Sequence, residues 1–361
     1  KRQQLGDAFL DRIEHVRQLA KAGRSAEQAE HAELLDALHA LSEDDVLPLA
    51  RAFNQFLNLA NIAEEHHRVR IRDEEGELCA PDTLCGLFAQ LRKKGFPPEQ
   101  ITRAVGQMRI DLVLTAHPTE VNRRTLIQKY DDVALCLKNL DRGDSGAQQR
   151  LDELICQIWY TDEIRKQRPT PVDEAKWGFA VIENSLWQAV PQFLRRLDEQ
   201  LLEALGEGLP LDCSPVRFAS WMGGDRDGNP NVAAKVTEEV LLLARWMAAD
   251  LYFSDIDALR AELSMQPAIT ELVERSGHST EPYRQILGEV RARLIATKKW
   301  LQSRLKGEQQ DCGDIYLQES ELLEPLLLCH RSLKSCGMEL VAKGALEDII
   351  RRIACFGLTL I

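Results

Sequence analysis

The 361 residues suffice to bury a large core, and 44% apolar with 28% charged residues is the balance of a soluble globular protein, which excludes a disordered or fibrous chain. A formal net charge of -12 argues against nucleic acid or an anionic membrane as the main partner, so a chain that handles anions must gather its positive charge locally. Nine scattered cysteines, none spaced C-x-x-C, predict reduced thiols in a cytoplasmic protein, without a disulfide frame or a zinc site, and no apolar run approaches membrane-spanning length.

The chain opens on Lys1-Arg2-Gln3-Gln4, with neither methionine nor a signal peptide, and is expected to be trimmed at this end. Up to about Gln107 it reads as helical. Leu5, Phe9, Ile13 and Val16 form a stripe that stops near Gly23, and Ser25 with Gln28 resembles a capping box for a second helix. Asp45 is expected to cap a third helix with Pro48 in its first turn and Leu49, Phe53, Phe56 and Leu57 on one face. Residues 70–82 read as a charged connector, followed by helices over 83–94 and 98–107. Glu64-Glu65-His66-His67 is not a metal cluster, because adjacent histidines on a helix diverge and the H-E-x-x-H spacing is absent.

Leu112, Val113 and Leu114 then form a short apolar run that predicts a buried strand ending just before Thr115-Ala116-His117-Pro118-Thr119-Glu120. Pro118 disfavours αR geometry at His117, which places the histidine in extended backbone at the strand's exit, where α/β barrels keep their chemistry. A histidine alone would read as a buried structural residue. Here Thr115, Thr119, Glu120, Arg123 and Arg124 crowd polar and charged groups onto the same strand end, which packing does not require.

A long helix over 148–164 runs into Arg165, Lys166 and Arg168, cations that could simply complement its C-terminus. Another helical region covers 173–205. Val216, Phe218 and Ser220 then alternate with Arg217, Ala219 and Trp221 as a strand that ends at Gly223-Gly224-Asp225-Arg226-Asp227-Gly228-Asn229-Pro230. A calcium loop fails there, because Pro230 and Val236 occupy the positions of its glycine and glutamate, and G-x-G-x-x-G is absent. A tight turn held by Asp-Arg-Asp ion pairing remains, and it is compatible with a role for the fixed charge of Arg226. Helices follow over 238–263, 281–305 and 319–336, and residues 355–361 have strand character that stops in mid-run.

Four of these stretches carry a resemblance. TAHPTE with the arginine pair at 123–124, FNQFLNLAN at 53–61, TDEIRKQRPTP at 161–171 and WMGGDRDGNPNV at 221–232 are similar to the phosphoenolpyruvate carboxylase family of bacterial type, over essentially the whole chain. The resemblance implies a predominantly α-helical fragment with a few parallel strands, the first part of a helix-rich (β/α)8 barrel. It divides the chain into an N-terminal helical region, 1–108, and the first strands of an incomplete barrel with long helical insertions, 109–361, in one continuous unit.

By the same resemblance the parent enzyme, an allosteric homotetramer, joins bicarbonate to phosphoenolpyruvate and gives oxaloacetate and phosphate through carboxyphosphate and an enolate. His117 would be the base, Trp221 a wall of the carbon dioxide pocket, Arg226 an electrostatic support, and Arg123, Arg124 and Arg165 an anion site for a phosphorylated activator. The Mg2+ or Mn2+ ligands, the GRGG loop and most substrate arginines of the family have no counterpart here. This chain is therefore expected to be an N-terminal fragment, inactive by itself, with apolar surface left for the absent strands. The rival reading is a non-catalytic helical interaction or phosphotransfer module.

Overall fold

The computed structural model describes residues 6–22, 28–75, 83–115, 124–161, 169–308 and 311–361, which are mostly helical with two parallel strands. They fall into two compact units, the first drawn from residues 1–78 and 122–165 and the second from 79–121 and 166–361. Among the described residues no helix is long and apolar enough to cross a membrane.

In the first unit, α1 (Asp7–Ala22) buries Phe9, Ile13 and Val16, one helical face, against Leu49 and Ala52 of α3 (Glu43–Glu75). Between them lies α2 (Gln28–His39); Ser25 is outside the described residues. The start of α3 differs from the expected one. Ser42 precedes the helix and its hydroxyl donates to Asp45 Oδ2 at 2.7 Å, so Asp45 is in the first turn and Pro48 falls one turn later. The helix also continues through Arg70 to Glu75, where a connector was expected, with Glu64 and Arg68 paired at 2.5 Å along it. His66 meets Asp141 at 2.9 Å and His67 meets Arg70, so the two histidines do turn apart.

Further along the sequence, α6 (Arg124–Asp141) and α7 (Ala147–Tyr160) join this first unit. Leu126, Val133 and Cys136 pack on Leu154 and Ile158, with Leu59 and Ile62 of α3 completing the cluster. Buried Gln55 fixes the arrangement by donating to the Ile158 carbonyl at 3.2 Å. The apolar face of α6 and α7 thus finds its cover on the N-terminal helices.

The second unit contains α4 (Leu84–Lys93), α5 (Pro98–Gly106), β1 (Ile110–Leu114) and α8 (Pro171–Val181), followed by a π-turn (Ile182–Leu186) and α9 (Trp187–Leu205). Thereafter come β2 (Val216–Ser220), α10 (Ala234–Glu262), α11 (Thr270–Arg275), α12 (Pro282–Leu305), α13 (Glu319–Ser335) and, after a short π-turn, α14 (Glu347–Phe356). Several starts are written locally. Thr83 caps α4, and Thr170 forms a capping box with Asp173 in front of Pro171, whose missing amide costs nothing at N1.

Phe356 lies at the centre of this unit, its ring stacked on Phe218 of β2 at 4.8 Å and on Trp187 of α9 at 5.2 Å. Pro191 inside α9 cannot donate to the carbonyl one turn back, that of Trp187. Arg352 of α14 takes that acceptor instead, its Nε donating at 2.7 Å, while Nη1 reaches Asp255 of α10 and Nη2 reaches Gln188, each at 2.9 Å. Burial raises the Asp255 carboxyl above its ordinary value, and Arg352 and the Trp187 indole oppose that rise.

Strand character at residues 355–361 is overturned. Ile349, Ile350, Ile353 and Phe356 continue the helical period of α14, which ends at Gly357 with φ +57°, and buried Tyr252 donates its hydroxyl to the Gly357 carbonyl at 2.9 Å. The strand before Thr115 is present but not buried: Ile110, Leu112 and Val113 are all exposed. Among the described residues only β2 lies beside it, pairing Ile110 with Val216 through to Leu114 with Ser220. Cysteines 136, 156, 213, 312, 329, 336 and 355 are free thiols, whereas Cys85 is disulfide-bonded, against the expectation of thiols throughout.

Candidate functional site

β1 and β2, at whose exits a site is expected from the sequence, end side by side. His117, Arg123 and Arg165 are outside the described residues, as is the side chain of Arg124, the first residue of α6. The described residues include Leu114 and Thr115 at the exit of β1, and the loop from Trp221 to Asn231 at the exit of β2.

The two exits are joined directly, because the Trp221 amide donates to the Leu114 carbonyl at 3.2 Å, one residue beyond the last ladder pair. The Trp221 carbonyl accepts from the amides of Gly224 at 3.0 Å and Asp225 at 2.9 Å, so the chain closes into a tight turn. Its side chain remains 59% exposed, an unusual setting for a large indole and one that presents an apolar plate at the strand ends. Met222, next in sequence, turns the other way: it is buried among Ala175, Phe179, Val240 and Ala244, and its amide donates to Ser220 Oγ at 3.1 Å.

Two glycines admit this packing. At Gly223, φ is +75° and a Cβ would stand 2.6 Å from a methyl of Val240; at Gly178 of α8 a Cβ would stand 2.0 Å from the Met222 terminal methyl. Their roles were not legible from the motif, since the surfaces that demand them come from α8 and α10. The helical glycine at 178 was the one local signal.

The Asp-Arg-Asp ion pairing expected in the turn is not present: Arg226 pairs with neither Asp225 nor Asp227. Backbone geometry shapes the turn instead, with Asp227 at φ +40°, Gly228 at φ +78°, the Asn229 amide donating to the Arg226 carbonyl at 2.6 Å and the Asn231 amide to Asn229 Oδ1 at 3.0 Å. Arg226 lines an open cavity of about 510 Å3 with Ala234, Thr237, Glu238, Leu241 and Leu242. The loop thus holds both Trp221 and Arg226, the indole at the strand ends and the guanidinium beside the start of α10. Among the described residues no group of three or more His, Cys, Asp or Glu side chains is gathered to hold a metal ion.

Residues 1–361 match the family described as phosphoenolpyruvate carboxylase. Proteins named phosphoenolpyruvate carboxylase from Hahella chejuensis, Ectopseudomonas mendocina and Pseudomonas aeruginosa are 53%, 55% and 55% identical over 368, 367 and 367 aligned residues, covering 100% of this chain. The chain spans 42% of the length of each of these relatives.

Proposed function

Since the chain belongs to the phosphoenolpyruvate carboxylase family, we propose that it is the N-terminal part of an enzyme that carboxylates phosphoenolpyruvate with bicarbonate. The observation that supports this reading is the hydrogen bond from the Trp221 amide to the Leu114 carbonyl, which sets Trp221, the first residue of one family motif, beside the strand end that leads into Thr115, the first residue of another. In the proposed reaction a bicarbonate oxygen attacks the phosphorus of phosphoenolpyruvate. The bond from phosphorus to the enol oxygen breaks, leaving pyruvate enolate and carboxyphosphate. His117 takes the proton from the carboxyl of carboxyphosphate, whose carbon–oxygen bond to phosphate then breaks to give carbon dioxide and phosphate. The enolate carbon attacks carbon dioxide and oxaloacetate results.

Trp221 suits the wall of a dry pocket in which the enolate meets carbon dioxide before it meets water, because its exposed plate offers carbon dioxide an apolar surface. Arg226 contributes a positive charge, and Arg123, Arg124 and Arg165 would bind a phosphorylated activator. The divalent ion, Mg2+ or Mn2+, would be held by residues outside those described here. We further read the two strands as early strands of a helix-rich (β/α)8 barrel in a cytoplasmic homotetramer.

The deciding measurement is bicarbonate- and metal-dependent formation of oxaloacetate from phosphoenolpyruvate, with this chain compared with a protein of the relatives' full length that contains it. Activity in the longer protein alone supports the reading. Activity in the 361 residues themselves would overturn the placement of the metal site, and no activity in either would favour a helical interaction or phosphotransfer module.

A further inference from the structure

We infer that Thr237 is a positioning residue that sets the Trp221 loop against the strand ends. The inference rests on the reading of Trp221 as a wall of the carbon dioxide pocket. Thr237 lies in the first turn of α10 and its hydroxyl donates to the carbonyl of Gly223 at 2.7 Å. A helical threonine usually turns its hydroxyl to the carbonyl four residues back. Here that carbonyl, of Ala233, stands at 3.5 Å, so the short bond is the one to the loop.

Gly223 is buried, and without this hydroxyl its carbonyl would lack the bond it has. One turn further along α10, Val240 stands where a Cβ of Gly223 would be. A single face of α10 therefore fixes the loop in two ways, by a hydrogen bond that pulls and a methyl surface that limits approach. From Gly223 the constraint passes through the adjoining amides of Gly224 and Asp225 to the Trp221 carbonyl, and through the Trp221 amide to Leu114 at the exit of β1. Thr237 touches none of the proposed reactants; it acts through the loop.

Two substitutions separate the hydroxyl from the shape. Thr237→Val keeps the volume and removes the hydrogen bond, and Thr237→Ser keeps the bond. In a protein of the relatives' full length carrying these residues, Thr237→Val should lower oxaloacetate formation by about fivefold, the worth of one neutral hydrogen bond, at unchanged KM for phosphoenolpyruvate. It should also raise the ratio of pyruvate to oxaloacetate, because an enolate whose pocket is loosened takes a proton from water at the carbon that would have bonded to carbon dioxide. Thr237→Ser should restore both.

In the present chain, amide hydrogen exchange at Gly224 and Asp225 should quicken by about fivefold in Thr237→Val and remain unchanged in Thr237→Ser. An unaltered product ratio in Thr237→Val, or a serine variant that behaves as the valine one, would overturn the inference. If the unsubstituted full-length protein makes no oxaloacetate, the carboxylase reading fails. Unaltered exchange in Thr237→Val would reject the positioning role independently of that reading.

Discussion

Gly223 and Gly178 both lack room for a Cβ, yet the two should respond differently to alanine. At Gly223 the positive φ adds backbone strain to a clash with branched Val240, whereas at Gly178 the obstacle is the flexible end of Met222. Gly223→Ala should cost about 1–3 kcal/mol and Gly178→Ala less, as read from urea denaturation midpoints. Equal costs would mean that Met222 has no alternative rotamer. His117 calls for a chemical test: in a protein of the relatives' full length, His117→Asn should leave phosphoenolpyruvate binding intact and lower oxaloacetate formation by roughly a hundredfold or more. Unchanged turnover would remove His117 from the role of base.

At the scale of elements, Arg352 joins α9, α10 and α14 by answering the carbonyl that Pro191 leaves without an amide and by pairing with Asp255. Arg352→Ala leaves that carboxylate largely buried without its cation, with the Trp187 indole still donating to it at 3.0 Å, so a loss of about 3–5 kcal/mol is expected in equilibrium unfolding. A loss below about 1 kcal/mol would show that water replaces the guanidinium. The start of α13 offers a pH test. The Glu321 carboxylate accepts from the amides of Leu317 at 2.9 Å and Gln318 at 3.1 Å and pairs with Arg293, and these bonds hold its pKa at about 2, against an ordinary 4.5. A depressed carboxylate pKa stabilises the fold above the unfolded value and loses that contribution as pH falls through the folded one. The difference in melting temperature between the native chain and Glu321→Ala should therefore shrink between pH 4.5 and about 2.

Elements whose cause is local are legible in the sequence: the stripe of Phe9, Ile13 and Val16, the proline that opens α5, and the alternation of Val216, Phe218 and Ser220. Elements decided by distant partners are not. Residues 355–361 are β-preferring in isolation, and the helix that runs to Phe356 and ends at Gly357 is met there by the stack of Phe356 with Trp187 and by Tyr252 reaching Gly357. Likewise the turn at Asp225-Arg226-Asp227 suggested an ion pair by adjacency alone, while Thr237 and Val240, which hold the loop, lie on a helix that no motif singles out. The position of Trp221 at a strand exit could be read; its link to Leu114 required the register of two strands far apart in sequence.

Across the molecule, one strand of a two-stranded parallel sheet shows apolar side chains to solvent, with Leu112 46% and Val113 43% exposed. Such a strand invites pairing with other chains. Light scattering of this chain should rise with concentration, and Val113→Lys should reduce it; scattering independent of concentration in both would mean that the strand is shielded in solution.

The same sheet has a consequence in time. Its two strands are partners across residues 115–215, and α6 and α7, within that interval, pack into the other unit. The ladder can be closed only after a long stretch of chain has been ordered or held as a loop, which makes it a late and slow event compared with the helices on either side. In a refolding experiment, circular dichroism from helices should recover first, and the environment of Trp221, which depends on both strands having met, should be among the last signals to arrive.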